Sequence, residues 1–351
     1  MEVPGSEAGE LRELLMRNLI ALTVFIGLTA SAQAQNAVPV TAANYARAES
    51  DASFSSIVKR GSFGKIDHSR ELKPLDEQGV VRANRDTLYS EGVFDLDAGP
   101  VTITMPNAGK RYMSMQLIDQ DDYVPAFYYG VGTHTLTRKS VGTRYVVVLI
   151  RTLIDPNDPK DVARVHALQD RIKVSQKSPG KFEVPNWDHD SLLKVRKALL
   201  VLGEGIDSKN MFGQRGKVDE IKHLIGSAVG WGGAPEKDAL YIATTPPNND
   251  GTTIQKITVP ANVPVDGFWS ISLYNAEGYF QKNDLNAYSL NNITSMKNPN
   301  GTVTVQFGGC DGRIPNCLPI MKGWNYTVRL YRARPEVLSG RWKFPEAQPA
   351  I

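Results

Sequence analysis

The sequence predicts a mainly β protein with two β domains, an N-terminal helix and a helical connector between the domains. Hydrophobic residues alternate with a period of two over residues 80–151, as expected for strands with one buried face. Residues 156–233 show helical periodicity instead, and the strand pattern returns from residue 252 onward. Two runs of strands separated by a run of helices indicate two separate β domains.

The first predicted element is a helix at residues 42–60, within an N-terminal arm of residues 35–75. Thr41 is a suitable N-cap, good helix formers follow it, and Gly61 ends the segment. The first β domain is predicted at residues 76–155. It contains the alternating stretches VTITMP and YMSMQLI and the run TRYVVVLIR, which is rich in β-branched residues.

The connector is predicted at residues 156–235 and contains three helical stretches. Asp158 can cap the first helix, and Pro159 occupies its first position. HDSLLKVRKALLVLGEG and KVDEIKHLIGSAVGWGG form the other two, each ended by glycines. The second β domain follows at residues 236–346, where GFWSISLYN, GTVTVQFGG and WNYTVRLYRA lie between turns rich in Asn, Gly and Pro. Residues 347–351 form a short tail.

Residues 1–34 have the pattern of a secretory signal peptide. MRNLIALTVFIGLTASAQAQ begins with a basic residue, continues with an apolar run of about a dozen residues and ends in Ala-Gln-Ala. The run is shorter than the roughly 20 residues of a transmembrane helix. We therefore expect cleavage after Ala34, no membrane span in the mature chain, and a periplasmic or secreted bacterial protein. Because acidic residues precede Met16, translation is expected to start there.

Charge and cysteine content narrow the class of protein further. Without the signal peptide the chain keeps 38 basic and 33 acidic residues and has no dense Lys/Arg block, which argues against a nucleic-acid partner. The only cysteines, Cys310 and Cys317, stand in GGCDGRIPNCLP. In an exported protein this spacing predicts a disulfide, with two free thiols as the alternative. A metal site would need more ligands nearby.

The common catalytic and cofactor motifs are absent from the sequence. No P-loop, G-x-S-x-G, H-E-x-x-H, C-x-x-C or complete G-x-G-x-x-G occurs, so no organic cofactor is expected. Among the five histidines, His134 stands between two strands and is the candidate general base, with an ordinary turn histidine as the alternative.

Aspartates are concentrated in FDLD and IDQDDY, at Asp95, Asp97, Asp119, Asp121 and Asp122. If the strands pair, these carboxylates come together and can run acid/base chemistry or hold a divalent cation near Asp119. The alternative is a solvated edge, because turns favour aspartate for backbone reasons. In RYMSMQLID the alternation places Gln116 on the face opposite Met115, where it lines a pocket or meets water.

Longer motifs carry a resemblance to two families. NRDTLYSEGVFDLDAGPVTITMP, GKRYMSMQLIDQDDYVPAFYYG and VVVLIRT resemble the DUF1254 domain. GFWSISLYNAEGYFQKNDLNAYSL, NPNGTVTVQFGG and NCLPIMKGWNYTVRLYRARPEVLSGRWKFP resemble the DUF1214 domain, which commonly follows it. The resemblance covers most of residues 45–346. It implies two β-sandwich domains, the first immunoglobulin-like and the second jelly-roll-like, in an exported bacterial protein, and it implies no settled reaction.

The resemblance also selects candidate site residues. The family pattern Asn-x-Asp-Thr-x-Tyr and an Arg-Tyr pair fall on Asn84, Asp86, Thr87, Tyr89, Arg111 and Tyr112, with Gln116 and Asp119 downstream. If the protein is an enzyme, we expect Asp86 or Asp119 to serve as acid or base, Arg111 to bind an anionic or developing negative group, and the two tyrosines to position or protonate. The alternative is a buried polar network that fixes the entry to the first strand.

Two departures from the family pattern occur in the second domain. Ala287 stands where an arginine is common, which removes a possible anion-binding side chain. Cys317 stands where the family commonly has tryptophan, which supports the disulfide.

Three functions remain open at this point. The first is an enzyme, a hydrolase or lyase without organic cofactor, acting on a small polar or carbohydrate-like molecule. The second is a non-catalytic binding module in which aromatic residues such as Tyr123 and Trp231 stack on the ligand. The third is a structural envelope protein that assembles as a homo-oligomer. An enzyme needs an acid/base group with a perturbed pKa in an enclosed cavity, whereas a binder needs aromatic rings and hydrogen-bond donors.

Overall fold

The structure is a computed structural model, and it describes residues 37–78 and 81–350. The signal peptide predicted at residues 1–34 lies outside the described residues, as does the expected start at Met16. Within the described ranges the protein is mainly β, with several antiparallel sheets and an N-terminal helix, so the predicted fold class is confirmed.

The helices are α1 (Tyr45–Lys59), α2 (Arg138–Val141), α3 (Pro159–Gln169), α4 (His189–Leu202), α5 (Glu220–Gly230) and α6 (Pro335–Leu338). The strands are β1 (Asp67–His68), β2 (Thr87–Asp95), β3 (Val101–Met105), β4 (Met113–Asp119), β5 (Phe127–Tyr129), β6 (Gly132–Leu136), β7 (Tyr145–Leu153), β8 (Lys173–Gln176), β9 (Ala239–Thr244), β10 (Gln255–Val259), β11 (Trp269–Tyr274), β12 (Ser289–Asn291), β13 (Val303–Phe307), β14 (Cys317–Leu318), β15 (Asn325–Tyr331) and β16 (Gln348–Pro349).

The first β domain contains two sheets with strand orders β1-β2-β7-β4-β5 and β6-β3-β8. Alternate side chains of the larger sheet, such as Met115 and Val148, pack with Ile103 and Leu136 of the smaller one in a single buried cluster. Strands β2, β4 and β7 of the larger sheet therefore each have one face in this core. The other face of the sheet is available for the helices and for the second domain.

Strand β8 lies inside the range predicted as the helical connector. It pairs antiparallel with β3, with Val174 opposite Ile103, and so completes the smaller sheet of the first domain. Four residues with alternating exposed and half-buried positions, directly after a helix, give too weak a pattern for prediction from sequence. The helices of the connector lie where their stretches predict them.

The helix caps follow the sequence in part. Asp158 caps α3 by accepting from the backbone N–H of Lys160 at 2.9 Å, with Pro159 in the first turn, as predicted. Helix α1 begins later than predicted, and its N-cap position is Asn44, whose side chain accepts from the N–H of Thr41. No helix among the described residues has the length and apolar character that crossing a membrane requires.

The second β domain also contains two sheets, with strand orders β12-β11-β15-β9 and β14-β13-β10-β16. Between them lies a core that includes the fully buried Phe307, Trp324 and Val328. Cys310 and Cys317 form a disulfide with a Cα–Cα distance of 5.6 Å, which confirms the predicted pairing.

The two β domains contact each other through the faces that their own cores leave free. Tyr112 lies with its ring centre 5.0 Å from that of Phe268, in an aromatic cluster that both domains form. Tyr129 donates to the Asp238 carboxylate at 2.9 Å across the same interface. Tyr331 of the same aromatic cluster lines a cavity between the two sheets.

Candidate functional site

Each β domain places a tyrosine directly opposite an arginine on neighbouring antiparallel strands. Tyr89 of β2 is paired with Arg151 of β7, and Tyr241 of β9 is paired with Arg329 of β15. Ile150, next to Arg151, lies in the core of the first domain, and Val328 and Leu330, on either side of Arg329, lie in the core of the second. Both pairs therefore project from the free faces of their sheets.

The two pairs line one cavity of about 940 Å³ between the domains. Its wall also includes Asn84, Trp231, Thr327 and Tyr331. A second cavity of about 280 Å³ shares Asn84, Tyr89, Arg151 and Trp231 with the first and adds Thr87. Tyr89 and Arg151 therefore stand where the two cavities adjoin.

Arg151 is held in place by Gln116. The buried guanidinium donates through Nη1 to Gln116 Oε1 at 2.6 Å. Gln116 is fully buried, and its Nε2 donates to the backbone carbonyls of Gly232 at 3.1 Å and Gly233 at 2.9 Å. One amide thus orients the arginine and fixes the loop that carries Trp231. Gln116 lies on the face that the sequence alternation predicts.

Arg329 is fixed from the other side. It is 2% exposed, and it donates to Ser272 Oγ at 2.8 Å, to Tyr274 Oη at 2.7 Å and to the carbonyl of Arg82 at 2.7 Å. These hydrogen bonds occupy both terminal nitrogens. Arg329 therefore contributes positive charge to the cavity wall rather than free hydrogen-bond donors.

Among the residues that the structure describes, no acidic side chain forms an ion pair with Arg151 or Arg329. Buried charges are normally paired. Removing a cation from water costs several kcal/mol, and the attraction to a negatively charged partner offsets a cost of this order. Two such arginines facing one cavity give it a positive potential.

Tyr89 is polarised by its surroundings. Its hydroxyl accepts from Asn84 Nδ2 at 3.1 Å, and the same amide donates to Thr87 Oγ1 at 3.0 Å. Burial opposes ionisation of the phenol, but the charge of Arg151 and the hydrogen bond from Asn84 outweigh it and lower the pKa of Tyr89. At Tyr112, in contrast, burial outweighs the other effects and raises the pKa of the phenol to about 12.

Asp86 lies behind the site and lines neither cavity. Its Oδ1 accepts from Asn291 Nδ2 of the second domain at 3.2 Å, and its backbone N–H donates to Asn84 Oδ1 at 2.8 Å. Its Oδ2 has no hydrogen-bond partner within the described ranges. Burial raises the pKa of Asp86, and the charge of Arg329 opposes that rise. Asp86 therefore joins the two domains. Its backbone N–H also holds Asn84, the residue that contacts Tyr89.

Arg111 and Tyr112 are neighbours in sequence but lie in different surroundings. Arg111 donates to Asp161 Oδ2 at 3.0 Å and to the carbonyl of Leu153 at 2.6 Å, outside both cavities. It attaches the first turn of α3 to the end of β7. Tyr112 lies in the aromatic cluster between the domains.

Asp119 and Tyr123 also lie outside the two cavities. Asp119 Oδ1 accepts from the backbone N–H groups of Asp121 and Tyr123, and burial raises the pKa of Asp119 to about 6. Tyr123 stacks on His223 with ring centres 4.0 Å apart and donates to Glu220 at 2.6 Å.

The predictions of a divalent cation near Asp119 and of a general base at His134 both concern residues that line neither cavity. In residues 37–78 and 81–350, no group of three or more His, Cys, Asp or Glu side chains is arranged to hold a metal ion. Beside Asp119, Asp121 forms ion pairs with Arg47 and Arg215. His134 stacks on Tyr128 with ring centres 3.9 Å apart, away from both cavities.

Sequence reasoning missed Arg151, Arg329 and Tyr241. The available signal was a charged residue inside a strand that is otherwise buried, in VVVLIRT for Arg151 and in YTVRLY for Arg329. Such a residue is rarely buried without a partner.

Fold and site together define a protein with two double-sheet β domains that share an arginine- and tyrosine-lined cavity. The model of the DUF1254 family, described as a protein of unknown function, matches residues 63–135, and that of the DUF1214 family, described in the same words, matches residues 241–335. The chain thus contains segments that match both domains, as the resemblance in its motifs implies.

Two solved structures are similar to this chain. The VPA0106 protein of Vibrio parahaemolyticus is 18% identical, with 88% of this chain and 97% of that chain covered and a TM-score of 0.67. An uncharacterised protein from Burkholderia cenocepacia is 11% identical, with 87% and 86% covered and a TM-score of 0.49. The first similarity supports the fold. No curated protein matches this chain.

Proposed function

We propose that this protein binds a small anionic molecule in the large cavity between its β domains and that Tyr89 transfers a proton to or from it. The observation that carries the proposal is the pair of buried arginines, Arg151 and Arg329, that face one cavity without an acidic partner among the described residues. A carboxylate in the cavity would supply the missing negative charge.

Arg151 is the residue we propose to contact the anion. Its Nη1 is occupied by Gln116, and it lines both cavities, which leaves the rest of its planar guanidinium for a ligand. A guanidinium matches the geometry of a carboxylate, with two parallel hydrogen bonds. The anion-binding role expected for Arg111 from the sequence passes in this proposal to Arg151, because Arg111 is already paired with Asp161.

Between the two reaction classes, the site favours a lyase over a hydrolase. Hydrolysis by carboxylates uses two acids that flank the bond, as in glycosidases. The acids that line the large cavity are Asp207, whose side chain is 73% exposed, and Glu236, which accepts from the backbone N–H of Asn210. Neither forms such a pair beside Tyr89.

An elimination uses the groups that are present. The Tyr89 phenolate removes the proton on the carbon next to the ligand carboxylate, whose charge Arg151 neutralises. The electron pair forms a carbon–carbon double bond as the substituent on the next carbon leaves, and the phenol returns the proton to that leaving group. A lowered pKa at Tyr89 makes the phenolate accessible for the first step.

A binding module without turnover is the second candidate, and Trp231 is the observation that favours it. The half-buried ring lines both cavities, and its Nε1 donates to Ser50 Oγ at 2.9 Å, which holds the ring as a stacking surface. In either case we propose that the protein acts outside the cytoplasm, supported by the disulfide between Cys310 and Cys317.

Calorimetric titration of residues 35–351 with sugar acids, aromatic acids and neutral sugars tests the proposal. We expect acids to bind and neutral sugars not to bind. Arg151→Gln should weaken acid binding at least tenfold, while the matched surface substitution Arg313→Gln should not, because Arg313 is 88% exposed and lines neither cavity. Equal binding of acids by both variants would contradict an anion site at Arg151. An acid that binds is then assayed for a new conjugated double bond by ultraviolet absorbance.

A further inference from the structure

The mouth of the large cavity carries exposed aliphatic side chains, which its floor does not, together with the exposed charged side chains of Arg82, Asp207 and Lys209. Four aliphatic side chains that line it are exposed to solvent: Val81 at 45%, Ile206 at 37%, Val229 at 53% and Leu338 at 37%. At the floor, Arg151 is 8% exposed and Arg329 is 2% exposed. Polarity therefore changes along the cavity, from buried positive charge at the floor to exposed aliphatic side chains among charged ones at the mouth.

The four residues of this apolar rim come from four separate segments. Val81 precedes β2, Ile206 follows α4, Val229 is near the end of α5, and Leu338 ends α6. Single exposed aliphatic residues are common on protein surfaces and need no explanation. Convergence from four segments on one opening is different, because burying each of them requires an apolar group at the same place. Further inside, the partly buried Phe212 continues the apolar wall.

We infer that the ligand is an amphipathic carboxylate, whose charged head lies against Arg151 and whose apolar chain leaves across the rim. The inference rests on the proposed anion site and specifies the substrate class. A volume of about 940 Å³ suits a ligand larger than a small acid, since such pockets hold roughly 300–1,000 Å³. A sugar acid fits the four aliphatic residues of the rim less well, because their side chains offer no hydrogen bonds to hydroxyl groups.

The order of the two regions favours a free amphiphile over a membrane surface. A lipid in a bilayer presents its head group to water and keeps its chain in the membrane, so its receptor carries charge around apolar residues at the surface. Here the positive charge lies at the bottom of the cavity and the apolar residues lie outside. A molecule that enters head first satisfies this order.

The test compares straight-chain carboxylates of increasing length, from butanoate to decanoate, by calorimetry below their micelle concentrations. Each methylene that the rim covers should tighten binding by up to about fourfold, which is the transfer free energy of a methylene expressed as a dissociation constant. In the double variant Ile206→Ser/Val229→Ser, the ratio of the dissociation constants of butanoate and decanoate should be about tenfold smaller than in the wild type. Butanoate binding itself should stay unchanged. Val201→Ser is the matched control, since Val201 is 60% exposed and does not line the cavity.

The outcomes separate this inference from the proposed function. Carboxylates that bind through Arg151 with no dependence on chain length would overturn the amphipathic ligand and leave the anion site standing. No binding by any carboxylate would overturn both. Sedimentation with phosphatidylglycerol vesicles that depends on Val229, without binding of free decanoate, would identify the rim as a membrane contact and overturn the inference.

Discussion

Tyr89 and Arg151 lie directly opposite each other on β2 and β7, and the guanidinium carbon of Arg151 is 5.5 Å from the centre of the Tyr89 ring. The register of a single antiparallel pair thus places a fixed cation beside an ionisable phenol. Asn84 completes the arrangement by donating to the phenol oxygen. The chemistry proposed for the cavity depends on this arrangement, and it can be probed before any ligand is known.

The ionisation of Tyr89 is the first prediction. Because Arg151 and Asn84 lower the pKa of Tyr89, we expect one tyrosine to ionise below the usual pH of about 10. An ultraviolet titration of tyrosinate absorbance detects this step. Tyr89→Phe should remove it, and Arg151→Gln should move it to higher pH. An early step that persists in both variants would show that another tyrosine ionises and that Arg151 does not polarise Tyr89.

Tyr89→Phe also separates catalysis from binding. The ring stays in place and only the hydroxyl is lost, so we expect acid ligands to bind with little change. If Tyr89 transfers the proton, turnover should fall by about a hundredfold or more. Unchanged turnover would assign proton transfer to another group, and a loss of ligand binding would make Tyr89 a binding residue.

Asp122 provides a prediction about pH and stability. It is 1% exposed, its Oδ1 accepts from the N–H of Gly232 at 2.9 Å, and burial raises its pKa to about 7. The folded state therefore holds the proton to higher pH than the unfolded state does. The contribution of Asp122 to the free energy of unfolding is at most about 4 kcal/mol. It is fully present below about pH 4 and is lost as the pH rises toward about 7.

Asp122→Asn should remove that dependence, because the amide does not titrate. Asn tolerates the positive φ of 63° at this position, so the backbone is preserved. Urea unfolding across pH 4 to 8 should give a flatter curve for the variant than for the wild type. A fall in stability of the same size in both proteins would assign the titration to other groups, such as Asp119.

Arg111→Gln should lower stability without changing ligand binding. The substitution removes an ion pair with Asp161, whose pKa is lowered to about 2 because hydrogen bonds, above all from Arg111, outweigh its burial. We expect a loss of about 1–3 kcal/mol in the free energy of unfolding. Arg164→Gln removes a more exposed partner of the same carboxylate and should cost less stability than Arg111→Gln. Weaker acid binding by Arg111→Gln would instead support the anion-binding role expected for Arg111 from the sequence.

Removing the disulfide should affect stability alone. The bond between Cys310 and Cys317 closes a short loop beside β14, in the sheet of the second domain that lies away from the cavity. In the double variant Cys310→Ser/Cys317→Ser we expect the free energy of unfolding to fall by about 2 kcal/mol. Reductant should lower the melting temperature of the wild type and leave that of the variant unchanged. A loss of acid binding in the variant would contradict the placement of the ligand.

The fold was largely accessible from local patterns. Capping by Asp158 with Pro159 in the first turn located α3, and period-two alternation located β4 and β7. Strand β8 was missed, since its stability comes from pairing with β3 and not from its own four residues. Asn44 rather than Thr41 occupies the N-cap of α1, a choice between neighbouring polar residues that sequence alone does not resolve.

The site was accessible only in part, for a physical reason. Asn84 and Tyr89 are close in sequence, so a dense polar motif pointed to them directly. Arg151 reaches Tyr89 through strand pairing, and Arg329 reaches the cavity through the docking of the second domain. Arg111 was chosen for its charge, but its partner Asp161 lies on a helix that sequence patterns do not connect to it. Long-range pairing, which local patterns do not report, decides which charges stay unpaired.

The most direct test of the anion site is a crystal of the mature protein soaked with 4-bromobenzoate, with the bromine located by its anomalous signal. We expect a bromine position inside the large cavity, with the carboxylate within hydrogen-bond distance of the Arg151 guanidinium, and no such position in Arg151→Gln crystals. Bromine only at surface sites, or the same cavity position in both proteins, would contradict anion binding by Arg151.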